Sequence, residues 1–257
     1  MGRRRSPGWV PNQHGAWAML VLPLAVGALR AGPEAVHLWL LVAWLVAYLA
    51  FFATGLWLRS ARKARYRPPV IAYAGAAAAV GLPLLVAEPE LVRWGVVYAP
   101  LLVVSLGYSA RRAERALAND LVTIVAASLM AVVAYGVAHD DGAWLRGTAT
   151  PTAWVLAAAV CAYLAGTAFY VKTMIRERGN PAMYRWSVGY HATVAAAFAV
   201  VPGVRVPAVA AFLAVMAVKA AVVPRRWPRL RPAPIGAGEV VASVLLATIL
   251  ALVPLNG

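Results

Sequence analysis

Long apolar runs separated by short polar segments are the feature that most constrains this chain. We identify nine runs, each close to the roughly 20 residues that a helix needs to cross about 30 Å of hydrocarbon. They occupy residues 11–30, 36–58, 69–87, 91–109, 118–138, 152–171, 188–203, 207–223 and 236–255. Backbone amides cannot stay unpaired in lipid, and the runs are too long for barrel strands. The predicted fold class is all-α, a polytopic transmembrane helical bundle of about nine spans in a single integral membrane domain, residues 1–257.

The composition indicates the same class of protein. Hydrophobic residues make up 63% of the chain and charged residues only 13%, whereas a soluble domain carries about 25% charged residues. No amino-terminal stretch has the form of a removable signal peptide, because further spans follow the first run and no small-residue cleavage site ends it. The single cysteine, Cys161, excludes an intramolecular disulfide and a thiolate metal cluster.

The basic residues predict the orientation of the spans. Twenty of the 24 lysines and arginines fall on one side of the alternating runs, in segments 3–5, 59–67, 111–115, 172–185 and 219–231, whereas the other side has five of the nine acids. Short loops with this bias stay in the cytoplasm, so we place the amino terminus inside and the carboxyl terminus outside. Because the positive charge sits in short loops, membrane lipids are its expected partners, and nucleic acid is not. The excess of arginine over lysine fits a GC-rich bacterial genome, and the plasma membrane is the expected location.

Polar residues concentrate where particular spans meet the predicted cytoplasm. At the start of the first span, Asn12, Gln13 and His14 are three adjacent hydrogen-bonding side chains. They could line a ligand mouth, with His14 as a proton carrier or phosphate donor. Alternatively they form a hydrated helix start, with Trp9 and Trp17 as interfacial anchors.

Two further connections carry arginines with tyrosines. If the second helix continues past its span, Gly55, Arg59, Arg62 and Tyr66 share one face. A second face, in the fourth-to-fifth connection, would hold Tyr108, Arg112, Arg115, Asn119 and Thr123. Asp120 begins an apolar span, and a carboxylate at that depth needs a partner. We expect a local arginine.

The end of the sixth span adds Lys172 and Arg176, which are four residues apart and stack on one helix face, after Tyr170. Lys172 either lies below the headgroups or extends toward them. Each connection alone is explained by topology-setting charge, but together they could converge on one cavity that holds an anion. The candidate ligand-binding residues are Asn12, Gln13, His14, Arg59, Arg62, Tyr108, Arg111, Arg112, Arg115, Asn119, Asp120, Tyr170, Lys172 and Arg176.

Three stretches carry a resemblance to a known family. They are PNQHGAWAML at 11–20, ERALANDLV at 114–122 and FYVKTMIRERGN at 169–180. The chain resembles, over essentially its whole length, the YwiC-like family of bacterial membrane proteins. That resemblance implies a membrane protein and names no reaction.

The layout is also similar to that of the UbiA-type intramembrane prenyltransferases, which have nine helices and active-site loops after the second and sixth. Their fourth-to-fifth connection carries a tyrosine followed by a basic pair, as Tyr108, Arg111 and Arg112 do here. Those enzymes bind magnesium and a prenyl diphosphate through aspartate-rich motifs at the second and sixth helix ends. Here these regions contain no aspartate, and Glu177 is their one carboxylate. Hard cations need several oxygen ligands, so we predict no metal and no cofactor.

The sequence therefore predicts an integral membrane protein that binds an anionic lipid or isoprenoid phosphate in a basic, cytoplasm-facing cavity without metal. One alternative is a metal-independent prenyl- or lipid-modifying transferase with His14 or Asp120 as base. A transporter of a small or amphiphilic anion is another, although no internal repeat supports it. The last alternative is a purely structural subunit of a membrane assembly.

Overall fold

The computed structural model describes residues 8–11 and 14–255, with residues 14–16 as backbone only. That part of the chain forms nine α-helices and no β-strand, which confirms the predicted fold class. The helices are α1 (His14–Ala31), α2 (Ala35–Arg59), α3 (Arg67–Ala87), α4 (Gly95–Ala110), α5 (Leu117–Ala138), α6 (Pro151–Val171), α7 (Pro181–Val200), α8 (Pro207–Arg226) and α9 (Pro232–Leu252). Short 3₁₀ turns at Ala64–Tyr66 and Pro89–Trp94 lead into α3 and α4.

One helix begins earlier than its apolar run predicts. We expected the seventh span at 188–203, but α7 begins at Pro181. Asn180 caps it, because its Oδ1 accepts hydrogen bonds from the backbone nitrogens of Ala182 at 2.9 Å and Met183 at 3.4 Å. Proline suits the first turn of a helix, where its missing amide hydrogen would have no partner anyway. Capping therefore sets this boundary, and hydropathy does not.

Within the described residues, seven helices are long and apolar enough to cross a membrane, namely α2 to α6, α8 and α9. In α1 the apolar part is shorter, Trp17–Ala31. Helix α7 is 20 residues long but starts with the polar and aromatic sequence PAMYRWS. The length and composition of the seven make the chain a multi-pass integral membrane protein.

The helices alternate in direction, so the bundle has two chemically distinct ends. At one end Arg112 Nε donates to the backbone oxygen of Arg59 at 3.3 Å, which brings the ends of α2 and α4 together. At the opposite end Arg146 Nη1 lies 3.5 Å from Glu88 Oε2. We call the first the basic end and the second the acidic end. The geometry thus places the arginine-rich connections 59–67 and 111–115 at one end, as their alternation along the sequence predicts.

The core of the bundle lies around α5 and α6, in which more than half of the residues of the apolar segment are buried. Helix α1 packs against α5 at very close range. A Cβ atom added to Gly27 would lie 2.4 Å from the backbone oxygen of Ala131, so only glycine fits there. Helices α3 and α4 lie at the periphery and expose most of their apolar side chains, as lipid-facing helices do.

Candidate functional site

Three of the predicted helix ends meet around the connection between α4 and α5, residues 111–116. Arg112 reaches the carboxyl end of α2, and Lys172 at the end of α6 donates from Nζ to the backbone oxygen of Arg115 at 2.9 Å. We call Arg59, Arg112, Glu114, Asp120 and Lys172 the loop cluster. The structure therefore brings together side chains from three separate candidate segments.

Two carboxylates in this region neutralise two of its cations. Arg59 Nη1 forms an ion pair with Glu114 Oε1. Partial desolvation would raise the pKa of Glu114, but the hydrogen bond and positive charge of Arg59 outweigh it, and the pKa lies below its ordinary value. The pair ties the connection between α4 and α5 to the end of α2.

Lys172 is the buried cation of the loop cluster. Its Nζ lies 2.9 Å from Asp120 Oδ2 in the first turn of α5. The expectation that a local arginine pairs with Asp120 was wrong, because α6 brings a lysine 52 positions away into contact with it. Lys172 is only 8% exposed, so other parts of the protein enclose its side chain. A buried ammonium needs a carboxylate, and this contact provides one.

Buried acceptors without a partner remain beside these ion pairs. Asn119 Nδ2 donates to the backbone oxygen of Glu114 at 2.9 Å. Within the described residues, however, Asn119 Oδ1 and Glu114 Oε2 are buried and have no hydrogen-bond donor. Buried acceptors normally have a partner, so a water molecule or a donor group of a ligand would be stabilised at this position.

The remaining candidate arginines face outward. They are exposed, and none of them forms an ion pair with a carboxylate of the described residues: Arg62, Arg111, Arg112, Arg115 and Arg176. The Arg62 guanidinium lies over the Trp57 ring, 5.9 Å from its centroid. The basic end thus keeps a layer of uncompensated positive charge outside the paired residues.

The predicted shared helix faces do not form, because the helices end earlier. Helix α2 stops at Arg59, and Arg62 has a φ of +59°, which a helix does not allow. Arg112 has a φ of +57° and separates Tyr108 on α4 from Asn119 on α5. Positive φ is strained for residues other than glycine, and sequence spacing gives no warning of it.

The prediction that Lys172 and Arg176 stack on one helix face was also wrong. Residues Lys172–Arg176 form a π-helical turn at the end of α6. Because a π-turn is wider than an α-turn, residues four apart no longer lie above one another. Lys172 is buried, whereas Arg176 is exposed. Tyr170 lies on a different side of α6, against Lys219 of α8, with the Nζ 4.6 Å from its ring centroid.

The candidate residues at the start of the first span lie outside the described part of the chain. Asn12 and Gln13 are not described, and His14 is described as the first backbone position of α1 without its side chain. Their predicted role at a ligand mouth stays a prediction.

A second polar cluster lies inside the membrane-spanning part of the bundle, and our sequence interpretation missed it. Lys219 Nζ of α8 lies 2.5 Å from Glu239 Oε1 of α9. Thr167 of α6 donates to Glu239 Oε2 at 2.8 Å, and the hydroxyl of Tyr163 lies 2.8 Å from the Glu239 backbone oxygen. Ser243 Oγ is 3.1 Å from the same tyrosine hydroxyl. We call these five residues the intramembrane cluster.

The depth of this cluster follows from its position in the helices. Lys219 precedes Arg226, the last residue of α8, by seven positions, and Glu239 follows Pro232, the first of α9, by seven. At 1.5 Å per residue this is about 10 Å from the basic end of each helix. An ionisable pair at that depth marks a functional site by default. The usable signal was a single acid within the predicted span 236–255.

A cavity of about 280 Å³ opens beside the intramembrane cluster, between α6, α8 and α9. Lys219, Glu239 and Tyr170 form its polar part, and the rest is mainly apolar, with Trp227 among the lining residues. The apolar part consists of Val223, Leu230, Pro234, Ile235 and Gly238. Its mixed lining suits an amphiphile, with a polar head at the ion pair and carbon chain against the apolar wall.

Within the described residues, no three histidine, cysteine, aspartate or glutamate side chains come close enough to hold a metal ion. The acids in both clusters bind lysine or arginine instead. The side chains that could contact a ligand are therefore mainly cationic, aromatic and hydroxyl groups, together with the oxygens of Asn119 and Glu114 that lack a partner among the described residues.

The architecture and the two clusters define a polytopic helical membrane protein with ion pairs between its helices. Comparison with known families makes this more specific: the model of the family described as YwiC-like protein matches residues 10–135. An uncharacterized protein YwiC of Bacillus subtilis strain 168 is 34% identical over 183 residues, which cover 71% of this chain and 73% of the relative. The chain belongs to the YwiC-like family, which confirms the predicted resemblance.

A more distant relative is an uncharacterized protein of Haemophilus influenzae, 28% identical over 191 residues, which cover 74% of this chain and 77% of that protein. No solved structure matches. The family match to residues 10–135 includes Arg59, Arg112, Glu114 and Asp120 of the loop cluster and ends before the intramembrane cluster begins. The UbiA-like layout stays a prediction.

Proposed function

We propose that this protein binds the anionic headgroup of a lipid or an isoprenoid phosphate at the basic end, from the cytoplasmic side of the bacterial plasma membrane, without a metal ion. The observation that carries the proposal is the meeting of α2, α4 and α6 around the connection 111–116, where exposed arginines surround two internally paired carboxylates. Glu114 and Asp120 pair with Arg59 and Lys172, and within the described residues they form no ion pair with the outer arginines.

Arginine is suited to this role because its planar guanidinium donates two parallel hydrogen bonds to a phosphate. Arg111, Arg112 and Arg115 lie within five residues on a connection that hydrogen bonds fix to the ends of α2 and α6. Each basic residue near an anionic surface contributes about 1 kcal/mol. A fixed connection loses less conformational entropy on binding than a loose tail would, which favours one headgroup position.

Binding of phosphatidic acid by the purified protein, measured with native mass spectrometry in a neutral detergent, tests the proposal. The test variant replaces Arg111, Arg112 and Arg115 with glutamine. The control variant replaces Arg225, Arg226 and Arg229, three exposed arginines at the same end, and so has the same net charge. We expect the test variant to bind phosphatidic acid about tenfold more weakly, which corresponds to about 1.4 kcal/mol, and the control to resemble the wild type.

Equal weakening in both variants would mean general charge attraction and would overturn the proposed site, as would loss of binding when a chelator removes divalent cations. Undecaprenyl phosphate in place of phosphatidic acid distinguishes an isoprenoid ligand from a phospholipid. The alternative activities predict other results. A transferase would release a modified lipid in the presence of an acceptor, and a transporter would move the anion across a proteoliposome membrane.

A further inference from the structure

We propose that the cavity between α6, α8 and α9 is a second binding site, which takes an uncharged amphiphile whose head offers a carbonyl or hydroxyl oxygen to Lys219. It is separate from the proposed headgroup site, with which it shares only α6, and its charged groups, Lys219 and Glu239, belong to the intramembrane cluster. Four observations support it.

First, the carboxylate of Glu239 is already occupied. Oε1 accepts from Lys219, and Oε2 accepts from Thr167 at 2.8 Å, with the Tyr163 hydroxyl 3.2 Å away. Three of the roughly four acceptor sites of a carboxylate are thus used, which leaves little capacity for a ligand. Its effect is to fix the Lys219 ammonium in position through the ion pair.

Second, the Lys219 ammonium has hydrogen-bond donors that the described part of the protein does not use. An ammonium group has three N–H bonds. Within the described residues Glu239 is its one hydrogen-bond acceptor, and the Tyr170 ring occupies another side of the ammonium. Lys219 also lines the cavity. At least one N–H is thus available to an oxygen that enters there, and a hydrogen bond from a charged donor is stronger than one between neutral groups.

Third, the net charge of the site selects the ligand. Lys219 and Glu239 neutralise each other about 10 Å inside the bundle. An anionic head would add an uncompensated charge at that depth, which is costly in a region of low dielectric constant. A neutral oxygen acceptor gains the hydrogen bond without that cost. This preference is the reverse of the one expected at the exposed arginines.

Fourth, the apolar wall continues toward the lipid. Val223, Leu230 and Ile235 line the cavity. The surface of α8 and α9 carries further exposed valines: Val218, Val222, Val240, Val241 and Val244. A volume of about 280 Å³ is at the lower limit for a ligand pocket, so it holds a head and the first carbons of a chain. The rest of the chain would lie along these valines in the bilayer.

Two glycines of α9 provide a matched pair for the test. Gly238 lines the cavity and Gly236 does not. A Cβ atom added at either position meets no atom within 4 Å, so neither backbone position excludes a side chain. Leucine also favours the helix over glycine at both positions. Gly238→Leu therefore fills the cavity, and Gly236→Leu controls for the added apolar group.

The experiment measures equilibrium binding of tritiated mono-oleoyl glycerol to the full chain in nanodiscs. We expect the wild type and Gly236→Leu to bind equally, and Gly238→Leu to bind at least about tenfold more weakly, a change of about 1.4 kcal/mol. The double variant Lys219→Met, Glu239→Gln, which removes the ammonium donor without leaving a charge, should lose binding to a similar extent. Two unlabelled competitors should compete poorly: oleate, because its head is charged, and octadecene, because it has no oxygen.

Undiminished binding to Gly238→Leu would overturn the site, even if the double variant fails to fold. Competition by oleate as effective as that by mono-oleoyl glycerol would overturn the preference for an uncharged head, and effective competition by octadecene would overturn the role of the oxygen. The variant without Arg111, Arg112 and Arg115 should bind mono-oleoyl glycerol normally. The two proposals can therefore fail independently.

Discussion

The loop cluster and the intramembrane cluster use the same chemistry at different depths. Each joins helices through a lysine and a carboxylate, Lys172 with Asp120 in one and Lys219 with Glu239 in the other. In the loop cluster the pair lies at a helix boundary, where a backbone oxygen and nearby exposed arginines complete the surroundings. In the intramembrane cluster three hydroxyl groups surround the pair, and a cavity opens beside it.

The difference shows that depth determines what an ion pair does. At the boundary water reaches the Asp120 carboxylate, which is 30% exposed, so the pair mainly fixes a connection and contributes modestly to stability. Inside the bundle the desolvation of both charges costs several kcal/mol, and an apolar pair of similar size would be at least as stable. A pair retained at that depth is better explained by ligand contact than by stability, which is the basis of the second proposed site.

We expect the largest effect on stability from breaking the intramembrane ion pair between Lys219 and Glu239. Lys219→Met leaves the Glu239 carboxylate unpaired inside the membrane region, and we expect a loss of about 3–5 kcal/mol in the free energy of unfolding. Adding Glu239→Gln should restore most of that loss, because no charge remains and the amide can still accept from Thr167. Thermal unfolding in detergent micelles measures both. A single variant as stable as the double one would mean that the pair does not form in the membrane.

Removing the lysine of the loop cluster should lower the free energy of unfolding by a smaller amount. Lys172→Met leaves Asp120 without its partner, but the side chain of Asp120 is 30% exposed and water can solvate it. We expect a loss of about 2 kcal/mol, which includes the lost hydrogen bond to the backbone oxygen of Arg115. The same unfolding assay, with Lys172→Met, Asp120→Asn as control, ranks the two pairs. The opposite ranking would contradict the assignment of depth.

Sequence patterns predicted the bundle well because they depend on quantities summed over many residues. Apolar length gave the helices, and the distribution of arginine and lysine gave the two ends. The Glu239 signal is weaker by that measure: one acid in an otherwise apolar run hardly changes its mean hydropathy. The free-energy cost of placing one carboxylate inside the membrane is large, however, so an isolated acid in an apolar span is a clear signal. Searching each predicted span for isolated acids would have found it.

The details of the loop cluster depend on single backbone angles and on contacts between distant segments. The left-handed conformations of Arg62 and Arg112 end the helices that we expected to continue, and the π-turn at Lys172 separates it from Arg176. Tertiary packing imposes these features on residues that do not favour them. The partner of Asp120 was missed for a related reason, since it comes from another helix.

A smaller effect tests the hydroxyl shell that distinguishes the two clusters. Tyr163→Phe removes the hydroxyl that lies 2.8 Å from the Glu239 backbone oxygen. We expect a loss of about 1 kcal/mol in the free energy of unfolding, the usual contribution of one hydrogen bond. Tyr98→Phe is the control, because the Tyr98 hydroxyl is buried and has no hydrogen-bond partner among the described residues. Equal effects of the two changes would show that the shell does not stabilise Glu239.

The smallest effect concerns the exposed side of the loop cluster and depends on pH. The pKa of Glu114 in the folded protein lies below its ordinary value of 4.5, since the hydrogen bond and charge of Arg59 outweigh the opposing desolvation. The folded state therefore binds fewer protons than the unfolded state as Glu114 titrates. The stabilisation is complete above the unfolded-state pKa and is lost as the pH falls through the folded-state pKa.

A double-mutant cycle of Arg59→Gln and Glu114→Gln should give a coupling energy below about 1 kcal/mol at neutral pH, because Arg59 is partly exposed. The coupling should disappear on acidification below the folded-state pKa, and a value that does not change with pH would show that the two side chains do not interact as an ion pair.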